Sequence, residues 1–596
     1  MEKKHLSLLK AGFGPCLLPC SFILLTTVIS ASAHAKDATT PLINPHSPAS
    51  ALVRHHTHGQ IATISSVTAP HNQSRSPAQK PAKESSFWDA EMLPPLSSRS
   101  EAYGYPQMLE LNAVPPSLLH QGPWGVFNTN SGAAAGWGTV AYYSNVRWAE
   151  DWSRLRNDKN RNKSLEALKF IPFNKDETVY MTLSANFENR NFYDQKAGLG
   201  TVRKSPAYRN TLRWSAGADL HLGKHVRLYG ELLSGQAGGV NYYGYAGGRW
   251  RSKIDAQQAF IEVKGHMLGA TMGAMAGRMV FLDAPAYITA GSVYPTVPYS
   301  WNGLRGYAFW KNFRVDIFDL MLTDTSNPVA FRNKVGWKTR LFGAYTSYAL
   351  PKFQLMGQKS QIFIDAFYMG YLLANSSIPG ATSNIAGSTH RDTPGVKIWG
   401  NAGHVEFSTG AMWQGGNFQA ANNGPKRSVS AYFLNATVAW RFSKWWSRPA
   451  IGIQADDISG GNMHKSATSK WGGFLSPFVP SAFYLDQSVA FGLSNVIDVG
   501  PVITLAPTQN TSLLLKVPVV WRHTTNDAVY NNASTAYNFR PHGGYSATLP
   551  QANFTWRATR NLTYSIGAEY VFASKALVQS GASSGAFVLG TADVTF

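Results

Sequence analysis

The stretch Leu562–Ala573, LTYSIGAEYVFA, decides the fold of this chain. Apolar or aromatic side chains take every second position, and small or polar ones fill most of the positions between. A period of two over twelve residues indicates a β-strand whose two faces meet different surroundings. The final ten residues, FVLGTADVTF (587–596), alternate in the same way and end on Phe596. This predicts an antiparallel β-barrel closed by the terminal strand, with the edge strand of a soluble sandwich as the alternative.

The N-terminus predicts export. Three lysines precede an apolar run (residues 11–30), and Ala-His-Ala follows at positions 33–35. This pattern is typical of a secretory signal peptide, here residues 1–35, that is removed from the mature protein. The chain has two cysteines, Cys16 and Cys20, and both lie inside that segment. The mature protein would therefore have no disulfide and no thiol chemistry.

Composition narrows the class of exported protein. The chain has 596 residues, 13% of them aromatic, and 53 glycines, and no run of eighteen apolar residues follows the signal. An exported chain of this kind fits a β-barrel of the bacterial outer membrane whose aromatic residues form girdles at the two membrane interfaces. The formal net charge of +21 falls to +19 without Lys3, Lys4, Lys10 and Glu2. Such a charge often indicates nucleic acid or lipid as a partner, but in a barrel it can line a lumen that attracts anions.

The chain divides into four predicted segments. After the signal peptide, residues 36–85 are rich in Pro, Ser, Ala and Thr and predict a disordered linker. His55, His56 and His58 lie there without carboxylates at ligand spacing, so we expect no metal site and no other cofactor. Residues 86–146 predict a periplasmic lead-in, and residues 147–596 predict the barrel. At about 23–25 residues per strand and turn, that length gives about 18 strands.

Charged residues lie on one face of the predicted strands only. In residues 179–190 and 212–222, apolar side chains alternate with polar ones that include Glu188 and Asp219. A charge that faces lipid at mid-bilayer costs about 2–4 kcal/mol. The charged face must therefore turn toward water, which predicts a polar, water-filled interior.

Several segments resemble the alginate-export family of outer-membrane porins, in family order. They are RWAEDWSRLR (147–156), LEALKFIP (165–172), GADLHLGKHVRLYGELLSGQ (217–236), DAQQAFIEV (255–263), the Gly277-Arg278 pair, WNGLRGY (301–307) and SNVIDVGPVITLAPTQNTSLLLKVPVVWRHTTNDAVY (494–530). The family usually continues the Gly-Arg pair with Gln or another polar residue, and often with a second Arg. This chain has Met279-Val280-Phe281 instead.

The resemblance implies a monomeric channel through which an anionic, alginate-like polysaccharide or a related anionic solute diffuses. Arginine suits that task because its planar fork binds a carboxylate bidentately and stays charged. The implied pore-lining, anion-attracting residues are Arg190, Arg213, Arg227, Arg278, Arg305, Arg391 and Arg522. Lumen acids would keep the arginines from repelling one another and from binding the solute too tightly; they are Glu188, Asp219 and Glu231. The alternative for each charge is an interior ladder that braces the barrel wall.

Three other functions compete with this one. A general or small-carboxylate porin fits a basic lumen equally well, and an adhesive barrel is supported only by long aromatic loops. The rival from another class is an outer-membrane hydrolase. GASSG (581–585) matches the letters of a nucleophile elbow, and His523, Asp527 and Ser534 could be assembled into a catalytic set. The elbow requires a strand before it and a helix after it, so we expect a hairpin loop and no enzyme. The expected partners besides the solute are outer-membrane lipid and a periplasmic secretion scaffold, with no nucleic acid.

Overall fold

The computed structural model describes residues 119–120, 140–141 and most of residues 143–596. Within the last range the gaps are 144–146, 151, 157–160, 162–164, 202–205, 242–248, 282–284, 286, 289–294, 311, 352, 443, 479–483, 509–510, 532–533 and 560. The predicted signal peptide, the linker and nearly all of the lead-in lie outside the described residues. In the described part of the chain no helix is long and apolar enough to cross a membrane.

Eighteen antiparallel strands form one closed barrel, as the sequence predicted. In chain order they are β1 (Val179–Asp194), β2 (Ala207–Leu222), β3 (Val226–Val240), β4 (Ser252–Met267), β5 (Ala270–Met279), β6 (Trp301–Phe309), β7 (Phe313–Asp324), β8 (Lys334–Ala349 and Phe353–Leu355), β9 (Gln358–Pro379), β10 (Asn384–Ala402), β11 (Val405–Ala420), β12 (Lys426–Arg441), β13 (Ala450–Ile458), β14 (Val496–Leu505), β15 (Thr511–Lys516 and Val519–Trp521), β16 (Tyr545–Thr548 and Gln551–Arg557), β17 (Leu562–Ala573) and β18 (Gly585–Thr595).

Three strands are interrupted, and a proline lies in each interruption. Pro351 separates the two parts of β8, Pro518 those of β15 and Pro550 those of β16. Proline has no backbone N–H to donate to a neighbouring strand, so the hydrogen-bond ladder breaks there while the strand continues beyond.

The terminal strand closes the barrel against the first one. β18 pairs with β1 from Phe587 opposite Asp194 to Thr595 opposite Asn186. Phe596 extends this pairing, because its backbone N–H and C=O each bond to Ala185 at 2.8 Å. The predicted role of the alternating C-terminus as the closing strand is therefore confirmed.

The two ends of the barrel differ in the length of their connections. At one end the strands are joined by two to eight residues, for example 268–269 between β4 and β5. We call this the short-turn end, and both the start of β1 and the C-terminus lie there. At the other, long-loop end the connections reach 37 residues in the β13–β14 loop, 459–495. This asymmetry is typical of outer-membrane barrels, whose periplasmic turns are short.

The two faces of the wall carry different side chains. On β17 the outward residues are those of the alternating apolar set, among them Ile566 at 50% exposure, while Glu569 on the other face is buried. Outward aromatic residues form a band near each end, as membrane interfaces favour. At the short-turn end they include Tyr348, Trp440, Trp556 and Tyr564, and at the long-loop end Tyr208, Trp413, Tyr545 and Phe572.

The described residues of the segment 147–172 pack against the inner face of the barrel at its short-turn end rather than in its wall. We call residues 147–172 the N-terminal insert; it contains the short 3-10 helices Arg147–Ala149, Ser153–Leu155 and Leu165–Lys169. Trp148 packs edge-on against inward Phe260 of β4 at 5.6 Å between ring centres. Phe170 stacks on inward Tyr180 of β1 at 4.3 Å. The insert ends in Ile171–Pro172, which pairs with the foot of β1. The predicted barrel of residues 147–596 therefore has a wall that begins at residue 179.

Loops fill the lumen from the other end. Phe478 of the β13–β14 loop packs edge-on against inward Trp301, and Tyr287 of the β5–β6 loop stacks on inward Phe433, both at 5.0 Å. One continuous aromatic core forms there, inside the barrel. The sequence predicted a polar, water-filled interior. The strands do turn many polar residues inward, but the N-terminal insert and the loops pack against them.

The remaining described elements are short. A two-stranded sheet joins Leu119–His120 to Val140–Ala141. A 3-10 turn, Ala197–Gly200, follows β1, and the single α-helix of the described residues, α1 (Lys575–Gln579), precedes β18.

Candidate functional site

Two inward arginines share one carboxylate at the junction of β1 and β2. Glu188 lies directly opposite Arg213 in the strand register, and Arg190 is two residues along β1. The Glu188 carboxylate forms ion pairs with the guanidinium groups of Arg190, at 2.5 Å, and Arg213, at 2.9 Å. Arg213 keeps 15% of its side chain exposed, against 4% for Arg190. Both arginines were predicted to point inward, and they do.

A second pair of arginines shares one carboxylate on β6 and β7. Arg305 reaches Asp316 at 2.5 Å, and Arg314 reaches the other carboxylate oxygen at 2.7 Å. Arg305 was a predicted lumen residue, whereas Arg314 and Asp316 were not singled out. Their spacing of two along β7 places both on the face that Arg305 shares, and this spacing could have identified them.

Arg227 is balanced by two acids and by the insert. It bonds to Glu262, its cross-strand partner on β4, at 2.8 Å, and to Asp219 at 3.4 Å. It also donates to the carbonyl of Trp148 at 2.7 Å. Glu231, the third predicted lumen acid, pairs with Arg147 of the insert at 3.1 Å. The predicted inward positions are correct, but here the N-terminal insert occupies the charged surface.

Arg391 points inward on β10 and contacts neutral groups. Its guanidinium donates to Thr389 Oγ1 at 2.9 Å, to Gln414 Oε1 at 3.1 Å and to the carbonyl of Gly473 at 3.2 Å. No ion pair is found for it within the described residues. Since it is buried and held by the β13–β14 loop, its charge acts on the lumen only at a distance in this conformation.

The predicted inward position of Arg278 is wrong. On β5 the inward residues are Met275, Gly277 and Met279, and Arg278 pairs with outward Ala259. Its guanidinium donates hydrogen bonds to Asn302 Oδ1 at 2.9 Å and to the backbone carbonyl of Ala256 at 2.8 Å. Gly277 has a φ of 129°, and a Cβ there would lie 2.3 Å from the Ala259 carbonyl. The glycine of the Gly-Arg pair is thus required by the backbone, and the arginine braces the outer rim.

Arg522 holds the backbone of a connection at the long-loop end. It follows the end of β15 and begins the 522–544 loop. Its guanidinium donates to four carbonyls of that loop, those of Thr525, Asp527, Pro541 and Gly543. Because all four acceptors belong to one loop, Arg522 fixes the loop's shape, and its pore-lining role stays a prediction.

A cluster of acids that the sequence did not predict lies on the wall at β13 and β14. Asp456 of β13 lies directly opposite Asp498 of β14, and Tyr484 of the β13–β14 loop donates to Asp456 at 2.7 Å. Lys516 of β15 donates to the Tyr484 carbonyl. These residues come from elements far apart in sequence, so no local pattern joins them. In the described part of the chain no group of three or more His, Asp or Glu residues is placed to hold a metal ion.

The residues of the rival hydrolase are dispersed. His523 Nδ1 lies 2.8 Å from Asp457, whereas Asp527 accepts from the Tyr530 hydroxyl at 2.9 Å. Ser534 donates to a backbone carbonyl at 3.1 Å. The GASSG motif has a helix before it and β18 after it, the reverse of a nucleophile elbow.

The family model described as "Alginate export" matches residues 179–590, from the start of β1 into β18. The match does not include the N-terminal insert, whose segments RWAEDWSRLR and LEALKFIP were predicted to resemble the family. No curated protein matches the chain.

Three solved structures give similar barrels. The outer membrane protein OpdK of Pseudomonas aeruginosa is 8% identical at a TM-score of 0.42, over 70% of this chain and 98% of that one. OccAB1 of Acinetobacter baumannii is 11% identical at 0.39, over 72% and 99%. OccK2 (OpdF) of P. aeruginosa, in complex with glucuronate, is 8% identical at 0.43, over 70% and 96%.

Proposed function

The chain belongs to the alginate export family, and from this premise we propose that it is an outer-membrane channel for an anionic polysaccharide such as alginate. The polymer crosses by diffusion and meets the inward arginines through its carboxylates. The β1–β2 and β6–β7 arginine pairs support this most directly. In each, two guanidinium groups share one carboxylate. The β6–β7 pair has one positive charge in excess of its shared acid, whereas Asp593 of β18, opposite Glu188 in the register, is a second acid beside the β1–β2 pair.

The sharing of carboxylates also suits passage rather than capture. Arg213 is held by Glu188 and keeps part of its side chain exposed, so its guanidinium can also meet a passing carboxylate. The acid at the same time weakens the net attraction, so that a polymer segment is bound and then released. Arg213 is the best placed for this exchange because it has the most exposed side chain of the arginines in these two pairs.

Passage of a polymer requires the lumen contents to move. At the short-turn end, Arg147 of the insert forms an ion pair with Glu231, and the Trp148 carbonyl accepts a hydrogen bond from Arg227. A polyuronate that enters from this side would compete for Arg227, because its carboxylate offers a charged acceptor in place of the Trp148 carbonyl. We infer that the insert leaves this surface when the polymer is present.

A small-carboxylate porin is the second candidate, and one observation favours it. Arg227, Arg305, Arg314 and Arg391 are all at most 2% exposed. A small acid needs only a local opening to reach them, whereas a polymer needs a continuous bore. The two candidates therefore differ in the size of anion that crosses.

Release from proteoliposomes tests the proposal. Vesicles that contain the full chain are loaded with a labelled polyuronate, a neutral polysaccharide of equal length and a small uronic acid. We expect release of the polyuronate in excess of the neutral polymer. Release of the small acid alone would contradict the polysaccharide proposal and support the porin.

Matched variants identify the arginines that act. Arg213→Gln combined with Arg314→Gln should slow polyuronate release, since each pair then loses one of its two positive charges. Arg340→Gln is the control, because Arg340 is also paired to a carboxylate, Asp319, at 2.6 Å, but on the outward face. Equal effects of the two changes would show that the lumen arginines have no special role.

A further inference from the structure

An open cavity of about 730 Å³ lies at the long-loop end. We call it the vestibule. Its walls come from the tips of β9 and β10 and from the β11–β12 connection, through residues such as Asn375, Ser388 and Asn423. Leu475 and Pro477 of the β13–β14 loop complete the lining. The volume is within the range of cavities that take small ligands.

The chemistry of this lining differs from that of the deeper lumen. None of the described residues that line the vestibule is Lys, Arg, His, Asp or Glu. The polar ones are amides and hydroxyls, including Asn375, Ser377, Ser388 and Asn423. Arg249 lies 3.8 Å from the ring of Tyr299, a lining residue, but is not itself part of the lining. The vestibule therefore offers many neutral donors and acceptors.

The innermost part of the vestibule is apolar and firmly held. The backbone of Leu475 is fixed from both sides by Gln414, which accepts from its N–H at 2.9 Å and donates to its carbonyl at 3.1 Å. Phe478 packs edge-on against Trp301 at 5.0 Å and Tyr371 at 5.9 Å. Since Gln414 is fully buried, this surface keeps its shape without a ligand, which lowers the entropy cost of binding.

These features match one ligand class. A sugar ring has hydroxyl groups that both donate and accept hydrogen bonds, and an amide side chain can satisfy both roles. It also has an apolar C–H face, which packs on apolar and aromatic surface. A carboxylate, in contrast, would lose hydration in the vestibule without gaining a cation, and that loss is unfavourable.

We propose that the vestibule is a saccharide-binding subsite that recognises the hydroxyl groups and C–H face of a sugar ring and not its carboxylate. This rests on the proposed function, since the ligand is a glycan that uses the channel. The subsite binds neutral and acidic glycans of equal stereochemistry alike. Discrimination by charge then takes place deeper, at the arginine pairs.

The test uses two hexasaccharides that differ only in the carboxylate, β-1,4-mannose and β-1,4-mannuronate. Calorimetric titration of the detergent-solubilised full chain gives the affinity for each. The variant Asn375→Ala with Ser376→Ala removes two neutral hydrogen-bonding groups of the lining, which should weaken binding of both ligands by about tenfold or more. Asn526→Ala is the control, because Asn526 is an exposed asparagine of a long-loop-end connection outside the vestibule.

Two results separate this inference from the proposed function. We expect the neutral hexasaccharide to bind. The double variant should weaken the affinity for the two ligands by the same factor, to within about threefold. Binding of mannuronate alone, or a neutral ligand unaffected by the double variant, would overturn the vestibule proposal and leave the anionic channel standing. Polyuronate release from proteoliposomes reports on the channel independently.

A second variant checks the chemistry without removing surface. Asn375→Asp places a carboxylate in the vestibule and keeps the side-chain size. It should weaken the binding of the mannuronate hexasaccharide more than that of the mannose hexasaccharide, because only the acidic sugar meets a like charge. Equal weakening of the two ligands would overturn the placement of the sugar beside Asn375.

Discussion

The amino group of Lys169 lies 4.5 Å from the centre of the Phe596 ring. A residue of the N-terminal insert thus contacts the last residue of the chain, which extends the closing strand. Lys169 is fully buried, and its ion-pair partner is Glu150, also of the insert, at 3.3 Å. Burial lowers the pKa of Lys169. Docking of the insert and closure of the barrel are therefore physically connected at the short-turn end.

The first prediction concerns this buried pair. Glu150→Gln leaves the Lys169 charge buried without its counter-ion, a change that costs about 3–5 kcal/mol in other buried pairs. We expect the insert to undock, so that a protease added on the short-turn side cleaves it faster. Asp324→Asn is the control, since its partner Lys334 is 75% exposed and surface pairs contribute about 0–1 kcal/mol. Equal cleavage of the two variants would contradict the role of Glu150.

Much of the wall could be predicted because its strands alternate strictly. Glu188 and Arg213 occur on polar faces of clearly alternating segments, and the structure places them opposite each other. β5 reads ATMGAMAGRM, which has no such alternation. The face of Arg278 could not be assigned from that pattern, and the Gly-Arg resemblance suggested the wrong one.

Long-range contacts explain the other differences. Asp456 and Asp498 meet across two strands joined by a 37-residue loop, and no periodicity specifies that meeting. The packing of the insert inside the barrel also depends on side chains far away, such as Phe260 for Trp148. Sequence patterns predict strands and faces, whereas the contents of the lumen follow from tertiary packing.

The second prediction tests the corrected position of Arg278. Arg278→Gln should leave the ion selectivity of the channel unchanged, because the side chain lies on the outward face. It should lower the thermal stability, since the bonds to Asn302 at 2.9 Å and to the Ala256 carbonyl at 2.8 Å weaken or disappear. Reversal potentials and thermal unfolding of the same preparation check both parts. A shift of the reversal potential with unchanged stability would place Arg278 in the lumen after all.

The third prediction concerns pH and the β13–β14 loop. Asp486 of this loop accepts hydrogen bonds from the N–H groups of Ala490 and Phe491 at 2.8 and 3.0 Å. Burial raises its pKa to about 7, above the value of about 3.9 for an unfolded chain. Because the folded-state pKa is the higher one, the stabilisation is complete below about pH 4 and is lost as pH rises through about 7.

Limited proteolysis checks this pH dependence. Cleavage within residues 459–495 should be faster at about pH 8.5 than at about pH 5.5, relative to cleavage in the 325–333 connection of the same protein. Asp486→Asn keeps the side-chain shape but cannot ionise, so its relative cleavage should change less between the two pH values than that of the wild type. Some change should remain, because Glu569, which accepts a hydrogen bond from Ser488 of the same loop at 2.9 Å, can still ionise. A wild-type loop cleaved equally at both would exclude Asp486 as the cause.

The central claim is that the inward arginine pairs make the channel attract anions. The reversal potential of the purified full chain in a planar bilayer, under a KCl gradient, tests it most directly. We expect anion selectivity that weakens as the salt rises from about 0.1 M to 1 M, because the Debye length falls from about 10 Å to 3 Å. Arg213→Gln should reduce the selectivity, and the outward control Arg340→Gln should not. A cation-selective wild-type channel, or one whose selectivity is the same in both variants, would contradict the claim.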